Sequence, residues 1–153
     1  MATETYSLTH ADVSAMLGIS SGFTATGRPT QAQVTGWISR AAGIVNGSFE
    51  ADGFTTAEVA ASTNAVEFAK EMILLWVCQK VCVFSFSPAV RERYHEIRAE
   101  YRDYEKKLED KPTYFSELYS ATEDAGSVQF HEEDVTEDYG DDIDEIGWVL
   151  DEL

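Results

Sequence analysis

Lysine and arginine are scarce in this chain: 11 stand against 28 Asp and Glu in 153 residues, for a formal net charge of -17 and a pI near 4.3. A nucleic-acid clamp needs cations to neutralise phosphates, and an anionic membrane surface repels an acidic chain, so both partner classes are excluded. Cysteine is almost absent, with Cys78 and Cys82 alone, so no disulfide framework holds the fold. No apolar run reaches the ~20 residues of a membrane-spanning helix. The longest, Met72 to Phe86, has 15 residues and includes Gln79 and Lys80, which marks a buried core helix. The N-terminus, MATETYSLTH, is polar where a secretory leader would be apolar, and an intracellular or virion setting is expected.

Catalytic and metal motifs are missing too. His10, His95 and His131 lie far apart, none in an HExxH spacing, and no glycine-rich phosphate loop is present. Cys78 and Cys82, one helical turn apart, would supply two zinc ligands with no third or fourth nearby, and read as small apolar core residues. A nucleophilic cysteine would need a neighbouring His and some exposure. Asp134, Thr136, Asp138, Asp142 and Glu145 fall at positions 1, 3, 5, 9 and 12 of a calcium loop. The glycine that the tight turn requires is displaced, however: Tyr139 stands at its place and Gly140 one later. That stretch reads as a solvated acidic linker. No active site emerges, so the chain is expected not to be an enzyme and to need no metal or cofactor.

What is there is an uneven distribution of charge. Residues 1–111 hold 14 acids and all 11 basic residues, a net of -3; residues 112–153 hold 14 acids and no Lys or Arg, a net of -14. The division expected is a helical body, 1–111, and an extended acidic tail, 112–153.

Within the body the pattern is helical throughout, and an all-α bundle of about four helices is expected. A short helix over about 11–17 has Thr9 as cap, Asp12 in its first turn and Gly18 as stop. Residues 19–29 read as a loop. Thr30 and Gln33 form a capping box for a second helix, in which Val34, Trp37, Ile38, Ala41, Ile44 and Val45 share one face, and Asn46-Gly47 supplies its stop. A third helical region spans about 56–86, re-capped near Ser62, and its apolar second half must be covered on most sides. Trp37 and Trp76 are expected in the core.

Ser87-Pro88 starts the last long helix, and Pro112 ends it at Lys111. Val90, Tyr94, Ile97, Tyr101, Tyr104 and Leu108 recur along it as a heptad seam. Such a seam packs on the chain's own core or on another subunit. Because tyrosine buries its ring while its hydroxyl stays wet, Tyr94, Ile97, Tyr101, Tyr104 and Leu108, with Tyr114 and Phe115 of a following aromatic cluster, are candidate subunit-interface residues.

The tail is low in apolar residues until its end, apart from a short candidate strand at Val128-Gln129-Phe130, and its composition reads as disordered in the free chain. Ile143, Ile146, Trp148, Val149, Leu150 and Leu153 then return as candidate anchors of a docking segment.

The residues Tyr6, Thr9, Asp12 and Val13 set out a Y-x-x-T-x-x-D-V opening. Phe23, Thr24, Pro29, Thr30, Gln33, Val34, Trp37 and Ile38 follow as a loop-to-helix junction, and Val45-Asn46-Gly47 and Gly53-Phe54 close the region. In these motifs the segment from Tyr6 to Phe54, about a third of the chain, resembles the N-terminal half of head-tail connector (adaptor) proteins of long-tailed bacteriophages and archaeal tailed viruses. The resemblance implies a structural protein of the virion neck, made in the host cytoplasm. It implies a homo-oligomeric ring, expected as a dodecamer, beneath the portal protein. That ring would extend a channel through which DNA passes without specific binding, and would offer a platform to the next neck or tail-completion protein. By position, docking on the portal falls to the tail and its apolar anchors. An alternative that the charge also admits is a non-catalytic acidic module, a DNA mimic or small chaperone-like regulator, acting on a basic protein.

Overall fold

In the computed structural model, which describes residues 6–120, seven helices and no strand are found among the described residues. The chain is all-α, as its periodicity predicts. Helix α1 (His10–Leu17) opens where Asp12 accepts hydrogen bonds from the Thr9 backbone N–H at 2.7 Å and the Thr9 hydroxyl at 2.8 Å. It closes on Gly18 at φ 68°, with the Ile19 N–H reaching back to the Ser14 carbonyl at 2.8 Å. Only glycine takes that left-handed position without strain.

Helix α2 (Gln31–Glu50) starts with the expected box: the Gln33 N–H donates to the Thr30 hydroxyl oxygen at 3.2 Å, and the Thr30 N–H donates to the Gln33 side-chain oxygen at 2.9 Å. Its end differs from the expectation. Asn46-Gly47 does not stop it, because the Asn46 side chain is turned inward, where it accepts a hydrogen bond from the buried Tyr6 hydroxyl. One more turn carries Phe49 into the core. The stop is then made by Gly53 at φ 90°, with the Gly53 and Phe54 N–H groups bonded to the Glu50 and Phe49 carbonyls at 2.9 and 3.2 Å. This is the same closing geometry as at Gly18.

Helices α3 (Thr56–Ala61) and α4 (Thr63–Phe84) follow, separated at Ser62, whose hydroxyl oxygen accepts from the Ala65 N–H at 3.3 Å. The re-capping expected there is present. The last long helix is divided: α5 (Pro88–Glu92) and α6 (Tyr94–Glu109) meet at Arg93, whose guanidinium donates to the Met16 carbonyl at the end of α1 at 2.7 Å. Lys111 is likewise not a terminus. It opens a further turn, α7 (Lys111–Tyr114), because a proline in the first turn of a helix lacks only an N–H that would have no partner there anyway.

Helix α4 is the hub, packing on α1, α2, α3, α5 and α6. Ile73, Val77, Cys78, Val81 and Cys82 are sealed from solvent along it. The heptad seam is the face that α6 lays on α4: Val90 and Ile97 are buried, and Tyr94, Tyr101, Tyr104 and Leu108 are half-buried against the core. Packing runs on past Lys111, since Phe115 and Leu118 are also core residues. Trp37 and Trp76 are half-buried and packed against that core. No helix among the described residues is long and apolar enough to cross a membrane.

Candidate functional site

Helices α2 and α4 run antiparallel, so the start of one lies beside the end of the other. Trp37 meets Phe84 at a ring separation of 5.3 Å, while Phe49 at the far end meets Phe115 at 5.4 Å, which in turn meets Phe68 at 4.9 Å. The pair therefore has an aromatic cluster at each end.

At the Phe49 end the cluster is closed. Segment 111–119 folds over it and is held by Lys111, whose side chain is only 11% exposed. The Lys111 ammonium donates to the Ser48 carbonyl at 2.6 Å and to the Ser48 hydroxyl oxygen at 3.1 Å, and pairs with the Asp52 carboxylate at 2.7 Å. The Tyr119 hydroxyl donates to the same carboxylate, and its ring sits edge-on to Phe54 at 4.8 Å. Hydrogen bonds from Lys111 and then Tyr119 hold the Asp52 carboxyl below its ordinary value. Burial, with the Asp52 carboxylate beside it, pushes the Tyr119 phenol up. Lys111, Asp52 and Tyr119 thus partner one another and Ser48, and together act as a staple.

At the Phe84 end the cluster is open. Val83 is 59% exposed, Phe84 53% and Phe86 73%. The Arg28 guanidinium stands 5.5 Å from the Phe86 ring centre, within cation–π range. Phe86 divides two clefts of about 590 and 530 Å³, one running toward Ile19, Phe23 and Arg93, the other bounded by Pro29, Thr30 and Phe84. Neither lining contains an acid; their only charged side chains are Arg28 and Arg93. Farther along α4 the Lys80 ammonium lies 5.0 Å from the Trp76 ring centre. No Asp or Glu occurs between residues 13 and 49, or between 72 and 91. In a chain of net charge -17 this end is apolar and cationic.

Of the candidate subunit-interface residues, Ile97 and Phe115 are spent in the chain's own core, and Tyr114 is half-exposed beside Lys107, 6.0 Å away. The candidate anchors Ile143, Ile146, Trp148, Val149, Leu150 and Leu153 lie outside the described residues, as do the Val128–Phe130 segment and the acidic stretch 134–145. Cys78 and Cys82 are buried on α4; burial pushes the Cys78 thiol up to about 12, so at neutral pH it stands protonated. Among the described residues no group of three or more His, Cys, Asp or Glu side chains is placed to hold a metal ion.

The motif residues Tyr6, Asp12, Val13, Pro29, Thr30, Gln33, Val34, Ile38, Asn46, Gly53 and Phe54 all serve caps, turns or core. The open end was missed in the sequence because Phe84 and Phe86 close a run that reads as uniformly core. Its signal was the absence of acids around them. No protein-family model, no curated protein and no solved structure matches the chain.

Proposed function

We propose that the chain is a structural head-tail adaptor of a tailed virus, assembling as a ring beneath the portal, extending the DNA channel and receiving the next neck protein. The observation that carries this reading is the open aromatic end. Among the described residues Val83, Phe84 and Phe86 are the most exposed large apolar side chains, ahead of the half-exposed Ile44 and Tyr114, and they stand together as on a protomer made for assembly. The motif resemblance over Tyr6–Phe54 supplies the kind of assembly, and residues 121–153, beyond the covering segment and with 13 acids and no Lys or Arg, supply the segment that docks on the portal. Held in many copies, such a tail gains avidity from effective concentration. A net-negative channel lining lets DNA pass without the phosphate contacts that would retain it.

The test is co-assembly with a portal protein from the same source, read by sedimentation and by symmetry in electron micrographs. Full-length chain is expected to add a ring to the portal, and a chain ending at residue 139 is expected to fail. Equal binding by the truncated chain would end the tail-docking claim. Capture of a basic nucleic-acid-binding protein with no portal assembly would favour an acidic regulator over an adaptor.

A further inference from the structure

The apolar, cationic end has a complement in the same sequence. Residues 143–153, IDEIGWVLDEL, place Ile143, Ile146, Trp148, Val149 and Leu150 among Asp144, Glu145, Asp151 and Glu152, with no Lys or Arg. The two clefts beside Phe86 are lined by apolar and hydroxyl side chains with no acid; Arg28 lies in both, and Arg93, which pairs with Glu96 at 3.8 Å, in the larger. We infer that the face formed by Arg28, Val83, Phe84 and Phe86 receives residues 143–153 of a second copy of this chain. An acidic, apolar segment is what this lining selects: its indole and aliphatic side chains fill the clefts, and its carboxylates meet the Arg28 guanidinium. A neutral apolar helix would fill the clefts but bring no carboxylate to the Arg28 guanidinium.

The geometry allows the exchange between copies. The described chain ends at Ser120, and 22 residues separate it from Ile143. A polar linker of that length has a typical end-to-end span of about 25 Å and a limit of about 75 Å when extended. That is enough to cross from one small protomer to the next. A contact that each copy passes on to the next at a different surface is heterologous, and gives a ring where the rotation between copies closes. The pairing stands on this chain alone and does not need the adaptor reading. If that reading also holds, the portal and the neighbouring copy are alternative docks for one segment, the neighbour serving before the portal is met.

The experiment uses full-length protein carrying a photo-crosslinking phenylalanine derivative at position 148, mixed with isotopically heavy full-length chain. Mass spectrometry is expected to find the crosslinker joined to peptides of the heavy copy containing residues 17–30 or 83–93. Phe86→Asp in the heavy chain should lower that yield at least fivefold. Arg28→Glu should lower it less, and reversing the charges at Asp144, Glu145, Asp151 and Glu152 should restore it. Phe86 is 73% exposed, so its substitution leaves the fold intact; circular dichroism of the variant checks this. Crosslinks spread over the surface, joined only within one chain, or indifferent to Phe86→Asp would overturn the inference. Portal binding is read separately: a Phe86→Asp chain that loses the crosslink and still binds portal keeps the adaptor reading. A chain that keeps the crosslink and never binds portal removes that reading alone.

Discussion

The two ends of the α2–α4 pair are built from the same materials and finished differently. At one end Phe49, Phe54, Phe68 and Phe115 are buried, and a lysine, an aspartate and a tyrosine fasten segment 111–119 across them. At the other, Trp37, Phe84 and Phe86 cluster beside Arg28 with nothing of the described chain laid over them. Helix chemistry does not account for the contrast, since at each end one of the two helices starts and the other stops. The difference is the presence of a covering segment. An aromatic cluster becomes core only where chain returns to close it, and where none returns it is left as surface for another molecule.

The strongest way to break this comparison is to truncate an aromatic at each end. Phe49→Ala is expected to cost about 3–5 kcal/mol, because a sealed ring is replaced by a cavity that its neighbours fill only partly. The loss reads out as a lower urea midpoint. Equal sensitivity at Phe86 would show that the open end is core after all.

Next in size is the staple itself. Lys111→Met keeps the apolar stem but removes the ammonium, taking that donor from the Ser48 carbonyl and leaving the Asp52 carboxylate with the Tyr119 hydroxyl in place of an ion pair. A loss of about 2 kcal/mol is expected, in the range for hydrogen bonds to a charged group. Faster amide exchange in 111–119 than in α4 would locate it. If the exchange rises uniformly instead, the segment is not a separate cover.

The staple also has a pH signature. Asp52 has its carboxyl lowered from 3.8 by the Lys111 and Tyr119 hydrogen bonds. Below that value the unfolded chain binds a proton more readily than the folded one, so stability falls as pH falls. The contribution is complete above 3.8 and is lost as pH descends through the lower folded value. Asp52→Asn should flatten this part of the acid limb in a stability-against-pH series. An unchanged limb would mean that the Lys111–Asp52 pair carries no net stabilisation.

How much of this was legible follows from the distance over which each feature is determined. The caps at Thr9, Thr30 and Ser62 and the stop at Gly18 are set by neighbours three or four residues away, and each is plain in the sequence. The end of α2 was not, because Asn46 is claimed by Tyr6, 40 residues earlier, and a local stop signal yields to a buried hydrogen bond. The break at Arg93 similarly depends on Met16, and the staple on Lys111 reaching Ser48 and Asp52. For the candidate site, the heptad seam was legible as a face but not as to which surface it met. The exposure of Phe84 and Phe86 was invisible in a run where hydrophobicity alone suggests burial.

The smallest expected effect on folding sharpens the comparison most. Phe86→Ser removes a ring that is 73% exposed, so little buried area is lost; the contact with Arg28 accounts for at most about 1 kcal/mol. Folding stability should therefore stay within about 1 kcal/mol of the parent, against several for Phe49→Ala. Self-association should respond in the opposite order. On the proposed reading stability and assembly fall to opposite ends of one helix pair, and sedimentation velocity alongside urea denaturation of the same two variants measures both. A Phe86→Ser chain that associates like the parent would leave the open end as surface without a role in assembly. A chain that folds normally but sediments as a monomer would place the assembly contact at this end.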